Sequence, residues 1–296
     1  KLKKKKIEWY DTGNLTELSE RIKKIYKCNY TVLDKNNESI CFFSDCVIKF
    51  FHNKNVCINR TKRGKILFPL TPKILDSKDN FIKMELVEGE LMSNLKTHGE
   101  ISKLLNWAKK NLWLSTNINS TNFKDICFKF YFDKTKIRIM RMLEISKDYS
   151  VINNVKTGTI YELLDKIDFN SLCNNEYSYF HGDFILDNII KTGTTYKLLD
   201  WRQDFGGELF NGDKYYDIAK LRHNIIFNHE NVSNNLFDIK IKNDNVIVDI
   251  KCNYTLINQL NDFDDFVKKN NLDLKKIKVL TALIWLNMSP LPEYPL

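Results

Sequence analysis

Residues 177–201, YSYFHGDFILDNIIKTGTTYKLLDW, constrain this chain most, because polar residues of fixed type are set there between short apolar runs. The alternation at Tyr177-Ser178-Tyr179-Phe180 predicts a β-strand. His181-Gly182-Asp183 follows, and Asn188 stands five positions beyond the aspartate. Two further apolar runs, 189–190 and 196–199, flank the turn residues Thr192-Gly193-Thr194-Thr195 and predict a hairpin centred near Thr194. Asn188 lies six residues before that centre and Asp200 six after it. Residues equidistant from a hairpin turn face each other with side chains roughly 5 Å apart. An amide oxygen and a carboxylate so placed suit a hard divalent cation such as magnesium, which takes oxygen ligands and keeps room for water and phosphate. Asp183, on the preceding loop, is left to address a third group. The competing reading is a buried strand pair with polar turn residues.

The pattern HGDxxxxN, followed twelve residues later by the aspartate of LLDW, resembles the catalytic loop and metal-binding segment of the aminoglycoside phosphotransferase and choline kinase superfamily. The segment 215–221, YYDIAKL, is similar to the YDLAKL helix start of the same enzymes. The resemblance implies an α+β, bilobal protein-kinase-like fold with a small N-terminal antiparallel sheet lobe and a larger, mainly helical C-terminal lobe. It also implies transfer of the γ-phosphate of ATP or GTP to a small-molecule hydroxyl. On this resemblance Asp183 is catalytic, Asn188 and Asp200 hold Mg2+, and His181 and Asp217 brace the catalytic loop.

Three strand-like runs, 30–33, 39–43 and 46–51, separated by Asp34-Lys35-Asn36-Asn37 and Ser44-Asp45, fit an opening antiparallel sheet. Lys49 stands at the place of the family's third-strand lysine, which pairs with the α- and β-phosphates of the nucleotide; the alternative is an outward-facing strand lysine. Glu85-Leu86-Val87-Glu88-Gly89 resembles the family's hinge, where backbone groups at Glu85 and Val87 meet the base edge and Gly89 permits a sharp exit; the alternative is an ordinary strand end. Two departures stand out. The first hairpin turn has no glycine, and the helix expected over 55–67 has no acidic residue to hold Lys49. From about residue 100 the pattern turns helical, with Ile101, Leu104, Leu105, Ala108 and Leu112 at three- and four-residue steps. Further helices are expected over 123–143, 159–167, 216–227, 257–270 and 274–288, with a hairpin over 237–250 turning at Asn243-Asp244-Asn245. Trp107, Trp113 and the aromatic residues of 128–132 read as core.

The chain has 296 residues, enough for two lobes, with the apolar (43%) and charged (28%) content of a globular protein. Its net charge of +9 comes from scattered lysines, which argues against a nucleic-acid partner and is compatible with attraction of a polyanionic nucleotide. The seven cysteines include no CxxC, so a reduced, cytoplasmic protein without zinc is expected. No run of eighteen apolar residues is present, so no membrane insertion is expected.

The expected division is 1–15 as an N-terminal extension, 16–90 as the nucleotide-binding N-lobe and 91–296 as the catalytic and acceptor-binding C-lobe. The segment 9–14, WYDTGN, is similar to the tail of some bacterial sugar nucleotidyltransferase domains; a turn before a helix over 15–26 explains the same residues. With no initiator Met and a stop on Pro292-Glu293-Tyr294-Pro295-Leu296, the chain reads as a piece of something longer; the similarity at 9–14 would imply the kinase half of a bifunctional enzyme with a linked nucleotidyltransferase domain. For the acceptor, Asp204, Glu208 and Asp213 offer carboxylates, and Trp201, Tyr215 and Trp285 offer aromatic faces. The segment 200–207, DWRQDFGG, resembles a capsule-type bacterial subgroup, which implies a sugar, polyol or amino-alcohol acceptor in surface-polysaccharide precursor synthesis. Choline, ethanolamine and aminoglycosides are alternative acceptors, and a non-catalytic pseudokinase-like module is the alternative of another class.

Overall fold

Five strands form the first sheet of the computed structural model, which describes residues 32–35, 37–95, 97–116, 122–173, 176–251 and 254–290. They are β1 (Val32–Lys35), β2 (Glu38–Phe42), β3 (Cys46–Phe51), β4 (Ile74–Lys78) and β5 (Phe81–Glu85), in the order β1-β2-β3-β5-β4 with every pair antiparallel. β1 runs on to Lys35, where a turn was expected, because Asp34 and Lys35 pair with Ser39 and Glu38. The segments 9–14 and 15–26 lie outside the described residues.

Helix α1 (Lys54–Leu67) covers one face of this sheet. Asn53 starts it: its side-chain oxygen accepts from the N–H groups of Asn55 and Val56, satisfying two of the donors a helix start leaves open. Cys57 and Leu67 bury against Ile40, Val47, Phe51, Ile82 and Met84. α1 has no continuous apolar stripe, and its buried set includes Arg63 at 1% exposure.

A short strand, β6 (Glu90–Leu91), follows the first sheet and pairs with β9 (Ile189–Thr192) of the hairpin that β9 forms with β10 (Thr195–Leu198). Two other small strands, β7 (Val151–Ile152) and β8 (Val155–Lys156), join the expected late hairpin, β11 (Phe237–Lys242) and β12 (Asn245–Ile250), in the order β11-β12-β7-β8. The parallel pairing of β12 with β7 had no signature in the sequence.

Helices make up the rest of the C-lobe. α2 (Glu100–Asn111) buries the expected stripe of Ile101, Leu104, Leu105 and Ala108. The helix expected over 123–143 is α3 (Phe123–Phe128), a π-helical turn (Lys129–Asp133) and α4 (Lys134–Ile145). α5 (Ile160–Asp165) opens with a capping box between Thr159 and Glu162. α6 (Phe169–Leu172), α7 (Lys214–Ile226), α8 (His229–Ser233), α9 (Tyr254–Lys269) and α10 (Leu274–Met288) follow.

Two apolar clusters meet along the catalytic segment. Phe184, Leu186, Ile189, Leu198 and Trp201 belong to the cluster under the sheet, α2 and α9. Phe180 and Phe205 belong to the cluster of the α3–α4 region, α7 and α10. Each fully buried side chain of this kind contributes about 1.5–3 kcal/mol. The polar residues between them are therefore held from both sides. Tyr177 to Phe180 is not a strand: only Ser178 makes isolated bridges, to Ser115 and Gly212, and the Tyr179 N–H goes to the Leu114 carbonyl, so the segment's backbone groups are met by short loop segments and not by a neighbouring strand.

Candidate active site

The hairpin register differs by one position from expectation. Thr192 pairs with Thr195 across a two-residue turn at Gly193 (φ +61°) and Thr194, so Leu198 faces Ile189. Leu199 is therefore the neighbour of Asn188, and its N–H donates to the Asn188 carbonyl at 2.7 Å. Asp200 lies past the last ladder pair, where strand alternation no longer sets direction. Its backbone is left-handed (φ +53°), a conformation in which aspartate is commoner than most residues. The carboxylate thus reaches Lys49 of β3, whose Nζ is 2.8 Å from Asp200 Oδ1.

Lys49 is 7% exposed and faces inward. Its acidic contacts come from the sheet and the hairpin: Glu38 Oε1 on β2 at 3.9 Å, and Asp200. α1 instead supplies a second cation. The Arg60 guanidinium also bonds Asp200 Oδ1 and lies 3.9 Å from Glu38 Oε2. Burial opposes the charged Arg60, and Asp200 and Glu38 more than offset it, holding the group above its ordinary pKa. Two cations and two carboxylates close into a quartet at the floor between β3, α1 and the hairpin.

Asp183 stands beside this quartet. Its Oδ2 and its carbonyl accept from the Asn188 Nδ2 at 3.1 and 3.0 Å, and its Oδ1 receives the Lys220 ammonium of α7 at 2.8 Å. Burial would raise its pKa, but Lys220 overrides that and holds the carboxyl below its usual range. The Asp183 carboxylate is therefore ionised and aimed by two partners. Asn188 spends its amide nitrogen on Asp183, which leaves its carbonyl oxygen as the acceptor of that side chain.

The loop is braced from below. His181 is fully buried, its Nε2 2.8 Å from the Leu199 carbonyl and its Nδ1 accepting from the Asp183 N–H at 3.2 Å. Those partners require the neutral Nε2–H form, and burial lowers its pKa to about 4. Asp217 of α7 accepts from the N–H groups of His181 and Gly182, both at 2.7 Å, and from the Trp113 indole at 3.0 Å. Burial pushes its pKa up to about 6 against those three donors. Gly182 (φ +88°) has no room for a side chain, since a Cβ would meet Arg202.

Arg63, one turn after Arg60, ties α1 to the same loop. Its Nε and Nη groups donate to the carbonyls of Arg202, Leu209 and Phe180 at 2.7, 2.6 and 2.6 Å, and its guanidinium stacks 3.8 Å from the centroid of the Phe180 ring. Burial pushes its pKa down to about 9.

At the expected hinge, the Glu85 N–H is already bonded to the Lys73 carbonyl, and its carboxylate accepts from the Lys73 N–H at 2.9 Å. Val87 follows outside any element, and among the described residues its backbone makes no hydrogen bond, so its edge is open to a base. Gly89 (φ +150°) packs against the Lys191 carbonyl where the chain turns to β6.

A cavity of about 130 Å³ is lined by Phe130, Lys134, Arg138, Arg202, Tyr216 and Lys220 among others, and Lys220 links it to Asp183 through their ion pair. None of the residues expected at the acceptor lines it. Asp213 is consumed by Lys276 at 3.0 Å and by Tyr131 at 2.9 Å, and Asp204 accepts from the Gly207 N–H. Glu208 bonds back to Phe205 through its backbone. Trp201 is buried against α1, donating to the Arg60 carbonyl. The Tyr215 hydroxyl accepts from Asp273 N–H, and the Trp285 ring packs beside His223. Phe130 is both core and pocket wall. Arg60, Glu38, Lys220 and Lys134 had gone unnoticed in the sequence. Only Lys220 carried a usable signal, standing one turn after Asp217 and so on the same helix face.

No family model matches the chain, and no curated protein is significantly similar to it in sequence. Solved structures do match in shape. One is an aminoglycoside phosphotransferase, APH(3'')-Id, from Streptomyces rimosus, 14% identical, TM-score 0.56, covering 93% of this chain and 98% of that one. Another is an ethanolamine kinase from Plasmodium vivax, 16% identical, TM-score 0.52, covering 93% of this chain and 81% of that one. The fold is protein-kinase-like, with an antiparallel sheet first and a helical remainder.

Proposed function

We propose that this chain is a small-molecule kinase that moves the γ-phosphate of ATP or GTP to the hydroxyl of a sugar, polyol or amino alcohol. The observation that carries the reading is the convergence of Asp183, Asn188, Asp200 and Lys49 from three elements at one cleft floor. The acceptor hydroxyl donates to Asp183, which orients it. The oxygen–phosphorus bond to the acceptor forms as the γ-phosphorus–oxygen bond of the nucleotide breaks, the diphosphate leaves, and the hydroxyl proton passes to Asp183 late. A carboxylate with a depressed pKa is a weak base, which suits a loose transition state that asks for positioning more than proton removal. Lys49 meets the nucleotide phosphates, and Val87 offers its backbone to the base.

The Asn188 carbonyl oxygen and the Asp200 carboxylate are hard donors of the kind magnesium takes, so the residues present fit that ion. Bound there, magnesium would offset charge on the phosphate oxygens. A role in making surface-polysaccharide precursors, with a linked nucleotidyltransferase domain, is supported by segments 200–207 and 9–14.

The test is a coupled nucleoside-diphosphate-release (ADP) assay with Asp183→Asn and Asp200→Ala. Both variants should lose transfer by at least a thousandfold; Asp183→Asn should keep the wild-type melting temperature within a few degrees, whereas Asp200→Ala, which leaves Lys49 and Arg60 without their shared carboxylate, should fold but melt lower. Near-wild-type turnover in either sinks the assignment. One observation favours the non-catalytic alternative: Asp200 is engaged by two cations at once. A nucleotide-induced thermal shift that does not depend on magnesium would establish that alternative.

A further inference from the structure

The pocket beside Asp183 carries more positive charge than the reaction centre uses. It is built wholly from the C-lobe: α4 supplies Lys134 and Arg138, the segment after Asp200 supplies Arg202, α7 supplies Lys220, and α10 supplies Asn287. Lys220 is matched by Asp183. The other three cations form no ion pair among the described residues. Lys134 and Arg202 lean on one aromatic ring instead, 4.4 and 5.1 Å from the centroid of Phe130. Such contacts offset only part of what withdrawing two cations from water costs. Burial, and then the neighbouring Arg202, Lys220 and Arg138, push the Lys134 pKa well down, with Asp183 pulling the other way.

Two polar atoms of the lining are also unanswered. The Nε of Arg202, a donor, and the Oδ1 of Asn287, an acceptor, are buried with no hydrogen-bond partner. An oxyanion satisfies the first and a hydroxyl the second. The π-helical turn that opens α4 puts Phe130 under Lys134, and irregular turns of this kind are frequent at functional sites.

We infer that the acceptor is an anionic alcohol: its hydroxyl stands at Asp183, while a phosphate or carboxylate on the same molecule takes Lys134, Arg138 and Arg202 as counter-ions. This rests on the kinase reading and narrows it. Guanidinium forks match either oxyanion in a bidentate manner, so the two share one chemistry here. Aminoglycosides and choline are excluded because they would bring a fourth unmatched positive charge to the same wall. The α- and β-phosphates meet Lys49 on the other lobe, and the γ-phosphate, which comes to Asp183 itself, is absent from the diphosphate used in the test below.

The experiment has two arms on the full chain. In the first, melting temperature is measured with saturating Mg-ADP and one of glucose, glucose 6-phosphate, glucuronate or glucosamine. Glucose 6-phosphate or glucuronate should stabilise, and whichever is stronger identifies the oxyanion; glucose and glucosamine should not. In the second, Lys134→Met and Arg138→Met should weaken that anion's binding tenfold or more, with the ADP affinity unchanged. Stabilisation by glucosamine alone, no stabilisation by either anion, or a loss confined to ADP affinity overturns the inference. Failure of Mg-ADP itself to stabilise the wild type is a separate result, and it overturns the kinase reading.

Discussion

Replacing Asp217 by alanine should be the most damaging single change near the loop that does not touch substrate. The carboxylate accepts three hydrogen bonds, two from consecutive backbone amides at 2.7 Å and one from the Trp113 indole at 3.0 Å, and is fully buried. Truncation orphans three donors in a dry interior, at about 1–3 kcal/mol each. Allowing for water entering the space of the lost carboxylate, the expected loss is about 3–6 kcal/mol. Domains of this kind commonly hold about 5–15 kcal/mol in reserve, so the variant should fold and be easily denatured. Asp217→Asn keeps one oxygen acceptor but turns an N–H group toward a donor, and should lose about half as much. Urea unfolding followed by fluorescence gives the loss as a shift in midpoint at unchanged slope. Native-state hydrogen exchange adds the local reading, since the His181 and Gly182 amides should exchange at least a hundredfold faster in the alanine variant. A midpoint shift worth less than about 1 kcal/mol, or unchanged exchange at those two amides, refutes the reasoning.

Other outcomes follow from the same geometry. With Asp217 at about 6 and Asp183 held below the usual carboxylate range, turnover should fall on an acid limb with an apparent pKa near 6, and the limb should disappear in Asp217→Asn. The Asp217 value is raised on folding, so its contribution to stability grows as pH falls from about 6 toward 4. The His181 value is lowered to about 4, so its contribution is present above about 6.5 and is lost over the falling range. Each is worth about 3 kcal/mol, and they oppose; removing both side chains together should leave the pH dependence of unfolding between 6 and 4.5 within about 1 kcal/mol of wild type. Arg60→Gln relieves Asp200 of one of its two cations and should lower, by about tenfold, the magnesium concentration at which ADP half-stabilises the protein; a higher requirement contradicts the quartet's competition with the metal.

The legible parts of this chain were those in which local sequence and tertiary role agree. The stripe of α2, the Asn243-Asp244 turn and the spacing of Asp183 and Asn188 all declare themselves within a dozen residues. The hairpin was legible to within one position, because a two-residue turn and a left-handed Asp200 shift alignment without altering composition. α1 was not legible as an interface. Besides Cys57 and Leu67, its inward face carries the half-buried Arg60 and the buried Arg63, whose partners are contributed by residues 38, 180, 200, 202 and 209. No periodicity in hydrophobicity marks a face satisfied by carbonyl oxygens and carboxylates from elsewhere in the chain. The cavity lined by Phe130 and Lys134 was missed for a related reason: the aromatic run at 128–132 was read as core, and the π-helical turn that makes Phe130 a pocket wall as well leaves no compositional trace.

The grip of Arg63 has a consequence for motion. A guanidinium bonded to three carbonyls of the opposite lobe travels with that lobe, so α1 cannot pivot outward as a lever without stripping all three at once. Lobe opening must then occur by flexing of the five strands over a stationary helix, with the sheet acting as the hinged cover and α1 as part of the bed. The spacing between Arg60, one turn earlier on α1, and the loop at 181–183 is set by the same three bonds.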